Sequence, residues 1–217
     1  MDVPIGHPWF GKPIMCQCRQ GELDARRSQD YGEISGLGIL EDWTFESFDR
    51  NVRGVSNAFD VCLSYAQNPD GWLLLTGSFG CGKTHLAAAV ANYVAQTQVM
   101  QPLFTVVPDL LDYLRAAFAP DRGESYDDRF NEVRNSSLLV LDDLGTENAT
   151  PWATEKLFQI INYRYNQRRP TIITTNRDFD RMDPRIASRI KDTAICTHLF
   201  IDAKDYRERR GKPVRSR

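Results

Sequence analysis

Between the apolar run Trp72–Thr76 (WLLLT) and an alanine-rich stretch from Lys83 to about Thr97 stands Gly77-Ser78-Phe79-Gly80-Cys81-Gly82-Lys83-Thr84. This octapeptide matches G-x-x-x-x-G-K-[ST], and it constrains the chain locally to a buried strand, a tight turn and the start of a helix. Its glycines let the backbone curl until successive N–H groups point inward, and the helix N-terminus adds partial positive charge. Such a loop is a cradle for a phosphate chain. Lys83 is placed to reach β- and γ-phosphates, and the Thr84 hydroxyl to ligate Mg²⁺. Ser78, Phe79 and Cys81 occupy the variable positions and His85 follows in the first helical turn, so Gly77 to His85 is the candidate nucleotide-binding segment.

The rest of the chain repeats the alternation that the loop begins. Residues 53–67 carry Val55, Phe59, Cys62, Leu63 and Ala66 at helical spacing and end at the turn Asn68-Pro69-Asp70-Gly71. Further strands are expected at Leu103–Val107, Leu138–Leu141, Thr171–Thr175 and Cys196–Ile201. Between them, helices are expected from about Pro108 to Phe118, over Tyr126–Asn135, and over 151–168 with Pro151 in the first turn. Strands that are apolar throughout and separated by helices need cover on both faces. The expected fold is therefore α/β, a doubly wound parallel sheet of five strands. Residues 1–36 show neither period, and Glu41–Asp49 (EDWTFESFD) reads as an edge that packs on a core.

Composition narrows the function. Hydrophobic content of 41% and charged content of 26% belong to a folded globular chain. No run approaches a membrane span, and Met1-Asp2-Val3-Pro4 has neither a basic start nor an apolar core, so the expectation is cytoplasmic with no membrane partner. Net charge is -2, yet Lys204 to Arg217 holds seven Lys/Arg against two Asp/Glu. Bulk charge does not favour nucleic acid, while a basic tail touching phosphates stays open beside a plainly solvated one. The five cysteines are scattered, which argues against a disulfide framework. Cys16 and Cys18 form a C-x-C pair that supplies half a zinc site, with His7 as the one further candidate nearby.

Two more elements bear on phosphate chemistry. Leu138-Leu139-Val140-Leu141-Asp142-Asp143 ends a buried strand with an acidic pair, at the strand end where open α/β sheets bind ligands. Asp142 suits the Mg²⁺ shell and Asp143 the polarisation of an attacking water, with Glu147 near enough in sequence to assist. Thr174-Thr175-Asn176 ends the next strand, and an Asn amide there can hold that water or meet the γ-phosphate. A turn-forming Asn is the plainer alternative.

In this order the three elements resemble the AAA+ ATPases, and within them the helicase loaders of the DnaC/DnaI type, with the transposition helper IstB as a close relative. The resemblance runs from about Trp43 to Arg210 and is carried by GCGKTHLAAAVA (80–91), LLVLDDLG (138–145), KLFQIINYRYNQRRPTIITTN (156–176) and RIASRI (185–190). It implies ATP and Mg²⁺ as cofactors and an ATP site shared between self-associating subunits. It implies an arginine reaching a neighbour's phosphates, matched by Arg189 with Arg185 as runner-up, and a second arginine acting in cis, matched by Arg207. It further implies slow ATP hydrolysis, with the replicative helicase and single-stranded DNA as partners. The alternatives are a transposition helper acting on duplex DNA and a nucleotide-gated interaction protein with negligible turnover.

The departures from the family pattern shape the remaining expectations. Asp143 stands where most AAA+ proteins have Glu, which suits slow turnover. Only 41 residues follow Asn176, so little or no helical lid is expected. The chain divides into a 1–40 arm or remnant of a helicase-binding or zinc module, an ATPase domain over 41–203, and a basic tail over 204–217. Phe118, Tyr126, Arg129, Phe130 and Arg134 lie between the second and third strands, where initiator-type AAA+ proteins are similar in carrying DNA-binding insertions. Phe118 and Phe130 read, more simply, as helix core.

Overall fold

The computed structural model describes residues 34–97, 100–118, 126–147, 150–176 and 178–206. Its strands are β1 (Trp72–Gly77), β2 (Pro102–Val106), β3 (Leu138–Asp142), β4 (Thr171–Thr175) and β5 (Cys196–Ile201). Its helices are α1 (Ser56–Gln67), α2 (Lys83–Thr97), α3 (Val107–Ala116), α4 (Tyr126–Asn135), α5 (Pro151–Asn166) and α6 (Pro184–Ile190), with 3₁₀ turns at Gly36–Leu40 and Phe179–Arg181. All five strands are parallel in the order β2-β3-β4-β1-β5. Each expected strand and helix is present, with bounds shifted by at most a few residues.

The order follows from what each strand can tolerate. β1, β3 and β4 are buried along nearly their whole length and take the three central places. Edge strands have one free ladder, and both ends of the sheet show it. β2 opens with Pro102, which has no N–H to give a ladder. β5 exposes Thr197, His198 and Phe200 while burying Cys196, Leu199 and Ile201. One face of the sheet, with Leu73, Leu75, Phe104, Val140 and Ile172, packs under α1 and α2. Leu86 through Ala91 of α2 are completely or almost completely buried there, and four alanines in that run let the helix axis approach the sheet closely. Alternate strand residues face the other layer, where Trp72 meets Tyr165 of α5 edge-on with ring centroids 6.1 Å apart.

At the end of the sheet away from the glycine loop, Arg164 of α5 is fully buried and acts as a staple. Its Nε donates to Thr171 Oγ1 (2.9 Å), and its Nη1 to the carbonyls of Arg134 (3.0 Å) and Ser136 (2.9 Å). Its Nη2 donates to the carbonyl of Pro170. One planar guanidinium thereby joins α5 to the chain leading into β3 and into β4, which sets the two strands side by side.

Beyond β5 the described residues, to Tyr206, contain no helix. Among the described residues no helix is long and apolar enough to cross a membrane. Arg164→Met keeps the volume but orphans several buried carbonyls, each costing about 1–3 kcal/mol. Urea unfolding should show a loss of at least about 3 kcal/mol for Arg164→Met, and a change below about 1 kcal/mol would remove the staple from this account.

Candidate functional site

The glycine loop leaves β1 at its carboxyl end with Gly77, Gly80 and Gly82 all at positive φ. All three also yield space: a Cβ on Gly77 would fall 2.5 Å from the Ile201 carbonyl oxygen. A Cβ on Gly82 would fall 2.9 Å from the Phe48 ring, and one on Gly80 would fall 1.8 Å from Asp205 Oδ1. The loop is thus packed from two directions, by the segment before α1 and by the chain after β5. That second segment is tied down as well: Ser78 Oγ donates to the Ala203 carbonyl (3.0 Å) and the Tyr206 N–H to the Gly80 carbonyl (3.0 Å). Lys83 is buried, and its Nζ spans the loop to the carbonyls of Gly77 (3.1 Å) and Ser78 (2.8 Å), with Cys81 Sγ at 3.7 Å. Ser78 and Phe79 lie at the exposed tip.

The acidic pair arrives on β3 and is oriented by β4. Thr174 Oγ1 donates to Asp142 Oδ1 (2.7 Å) and accepts from the Asp143 N–H (2.9 Å). Asp143 has φ +55°, a left-handed conformation that is uncommon outside glycine and that Asp and Asn tolerate best. This turn separates the two carboxylates. Asp142 stays 3% exposed behind the loop, while Asp143 reaches the cavity. Burial pushes the Asp142 carboxyl up to about 6, helped by Asp143, while the hydroxyls of Thr174 and Thr84 and the Lys83 ammonium pull it down.

The cavity between these parts measures about 510 Å³, within the range of small-molecule clefts. Phe79, Gly80, Cys81, Gly82, Lys83, Thr84 and His85 line it together with Asp143 and Asn176. Asn176 Oδ1 is a buried acceptor with no hydrogen-bond partner, the kind of orphan that a bound group or water satisfies. The hard oxygen donors Thr84 and Asp142 fit Mg²⁺, whose charge would favour the ionised form of the buried Asp142 carboxyl.

Sequence reasoning missed the other walls: Trp43, Phe48, Val52 and Val55 before α1, and Lys204 and Tyr206 after β5. Glu41–Asp49 reads as a packing edge, and Phe45 is indeed core, but Trp43 and Phe48 remain half-buried and turn to the cavity. An aromatic triplet with one member committed to the core was the available signal. Thr174 was missed too, because a Thr inside a strand carries no signal of its own.

Other expected residues lie elsewhere. Arg189, on α6, does not line the cavity. Its Nε and Nη2 donate to Asn162 Oδ1 (2.9 and 2.6 Å) and its Nη1 to the Arg185 carbonyl (2.8 Å). Arg185 pairs with Asp183 and Glu155, and both guanidinium groups lie over the Phe158 ring. Glu147 accepts the Gly145 N–H (2.7 Å) and is not among the residues lining the cavity. The reading of Phe118 as core is corrected: Phe130 is buried, whereas Phe118 is 60% exposed because it follows the end of α3. Arg207, Cys16 and Cys18 lie outside the described residues.

The Asp142 environment makes a testable demand on stability. Below the ordinary carboxyl value of 3.8 the group is protonated both folded and unfolded, so nothing is lost. As pH rises through about 6 the folded state increasingly bears a poorly solvated charge and loses stability. In EDTA, Asp142→Asn should unfold at a free energy about 2 kcal/mol above wild type at pH 8, with the gap closing by pH 4. A wild type that is the more stable of the two at pH 8 would contradict the burial cost.

Comparison with known proteins places this geometry. The model of the family described as IstB-like ATP binding protein matches residues 20–210. The replicative helicase loader DnaC of Escherichia coli strain K12 is 27% identical over 175 residues, spanning 79% of this chain and 71% of that protein. The replicative helicase loader DnaI of Bacillus subtilis strain 168 is 29% identical over 125 residues, which are 57% of this chain and 39% of that protein. The crystal structure of the DnaC helicase loader superposes with a TM-score of 0.65 at 27% identity, over 74% of this chain and 97% of that one. The five-stranded sheet is that of the P-loop AAA+ core. With a glycine loop, an acidic strand end and a family match over most of its length, this chain belongs to the IstB-like ATP binding protein family.

Proposed function

We propose that this protein is an ATP-dependent replicative helicase loader. The observation that carries the ATP reading is convergence: the Gly77–Thr84 loop, Asp143 and the unpartnered Asn176 Oδ1 line one cavity, with buried Asp142 directly behind them. Backbone N–H groups of the loop and Lys83 bind the phosphates, and Thr84 and Asp142 would hold Mg²⁺. When bound, that cation neutralises charge on the phosphate oxygens. Asn176 holds the attacking water against Asp143, which polarises it. The water oxygen bonds to the γ-phosphorus as the bond to the β-phosphate oxygen breaks, giving ADP and phosphate. The left-handed turn at Asp143 and its short side chain suit slow turnover.

The site is completed across a subunit boundary in this reading. Arg189 leaves Asn162 to meet the neighbour's γ-phosphate, and Arg207 contributes in cis. The helicase-loader assignment rests on similarity to DnaC and DnaI, proteins whose names state that role. The ATPase domain spans 41–203, flanked by the 1–40 arm and the 204–217 basic tail.

Single-stranded DNA contact draws on a ring ladder between α3 and α5. Phe118 stacks on Tyr126 (centroids 4.9 Å, 19° between planes), and Tyr126 on Phe130 (5.7 Å, 21°). Lys156 Nζ sits 4.9 Å from the Tyr126 ring, and the Arg115 guanidinium 5.0 Å from that of Trp152. An exposed terminal ring flanked by cations stacks bases without reading sequence. Replacing Phe118 and Lys156 together with Ala should weaken oligo-dT binding roughly tenfold and flatten its salt dependence. Unchanged binding would move DNA contact to another surface.

Lys83→Ala should lose nucleotide binding, whereas Arg189→Ala should retain binding and lose ATPase. Equal turnover by Arg189→Ala and wild type would remove the intersubunit role. A pull-down from native lysate with Asp143→Asn bait in Mg²⁺–ATP should recover the ring helicase, and Lys83→Ala bait should not. Because the family is described as IstB-like, a transposase in that pull-down would move the protein to the transposition helpers.

A further inference from the structure

His85 stands one residue beyond Thr84, yet its contacts run away from the phosphates. Its ring lies 5.1 Å from Trp43, tilted by 35°, and 5.1 Å from Phe48 at 89°. Nε2 is 3.1 Å from the Thr44 carbonyl and 3.2 Å from Ser47 Oγ. A carbonyl only accepts, so Nε2 carries the proton and donates to both oxygens. The Ser47 hydroxyl is then free to donate to the Asp42 carbonyl at 2.6 Å, which closes the turn on itself. One imidazole therefore grips the segment 42–48 at two oxygens and two aromatic rings.

The same segment is held from α2 at a second level. Asn92 Nδ2 donates to the carbonyls of Leu40 (2.8 Å) and Trp43 (3.0 Å). Phe48 meanwhile rests where a side chain on Gly82 would have to go. Trp43 and Phe48 are walls of that cavity, and a Phe ring has no hydrogen-bond donor to offer a phosphate. An apolar, aromatic wall beside a phosphate loop suits the base of a nucleotide.

We infer that His85 is a positioning residue for the nucleotide base: it registers the Trp43–Phe48 wall against the phosphate loop, so that base and phosphates are met at one fixed spacing. The inference rests on the ATP-site reading above. It assigns His85 no contact with the phosphates. Loss of the imidazole releases the wall from the helix start, while Lys83 and Thr84 keep their places on the loop. Binding of a nucleotide should then suffer, and binding of a phosphate chain with no base should not.

The test is isothermal titration of Mg²⁺–ATP and, separately, of Mg²⁺–tripolyphosphate into wild type, His85→Ala, His85→Gln, Phe48→Ala and Lys83→Ala. His85→Ala should weaken ATP binding by about tenfold or more and leave tripolyphosphate within about twofold. His85→Gln, which keeps a donor near the Nε2 position, should recover part of the loss. If His85→Ala fails to fold, Ser47→Ala removes one of the acceptors and should show the same split on a smaller scale. An equal loss for both ligands, or none for either, overturns the positioning role. Lys83→Ala should weaken both ligands; if it weakens neither, the site reading itself has failed. If Phe48→Ala weakens ATP alone while His85→Ala changes nothing, the wall stands and only the role of His85 falls.

Discussion

The Thr174 hydroxyl is the interaction on which the site depends. It donates to a buried carboxylate of β3 and accepts the next backbone N–H, at 2.7 and 2.9 Å, so it holds both members of the acidic pair from the neighbouring strand. That is possible only because β3 and β4 are adjacent, and Arg164 enforces the adjacency from the opposite end of the sheet. A fully buried guanidinium satisfied largely by carbonyls and hydroxyls is costly to strip of partners, so the geometry at one end is secured by an arrangement at the other. With β3 and β4 in register, the left-handed residue at Asp143 sends one carboxylate behind the loop and the other into the cavity.

A second constraint is the double packing of the glycine loop. Phe48 and Asp205 approach glycines from different parts of the chain, and the Ser78–Ala203 and Tyr206–Gly80 hydrogen bonds add the segment after β5. The loop is therefore a junction of the wall before α1, the first turn of α2 and the strap after β5. This is a physical basis by which occupancy of the loop could be felt in both flanking segments.

The ladder of Phe118, Tyr126 and Phe130 shows how little a side chain's identity says about its exposure. Phe130 falls on the inner face of α4 and is buried, while Phe118 follows the end of α3 and remains largely exposed. Both are phenylalanines within a few residues of an arginine in the sequence. Their different fates come from helix phase and from where a helix stops.

Much was legible in the order of residues alone. A glycine loop preceded by WLLLT and followed by a helix points to a covered parallel sheet, so the fold class, all five strands and the candidate site residues Lys83, Thr84, Asp142, Asp143 and Asn176 follow from local pattern. These features are local because backbone curvature, strand burial and helix start are each decided within a few residues. What the tertiary structure alone decided involves groups far apart in the chain. It placed Thr174 under the acidic pair, Asn162 against Arg189, the Trp43–Phe48 wall on His85, and Glu147 on Gly145 rather than in the cavity. No periodicity records such pairings, because a hydrogen bond or ring contact between distant segments depends on the strand order and helix phase that bring them together.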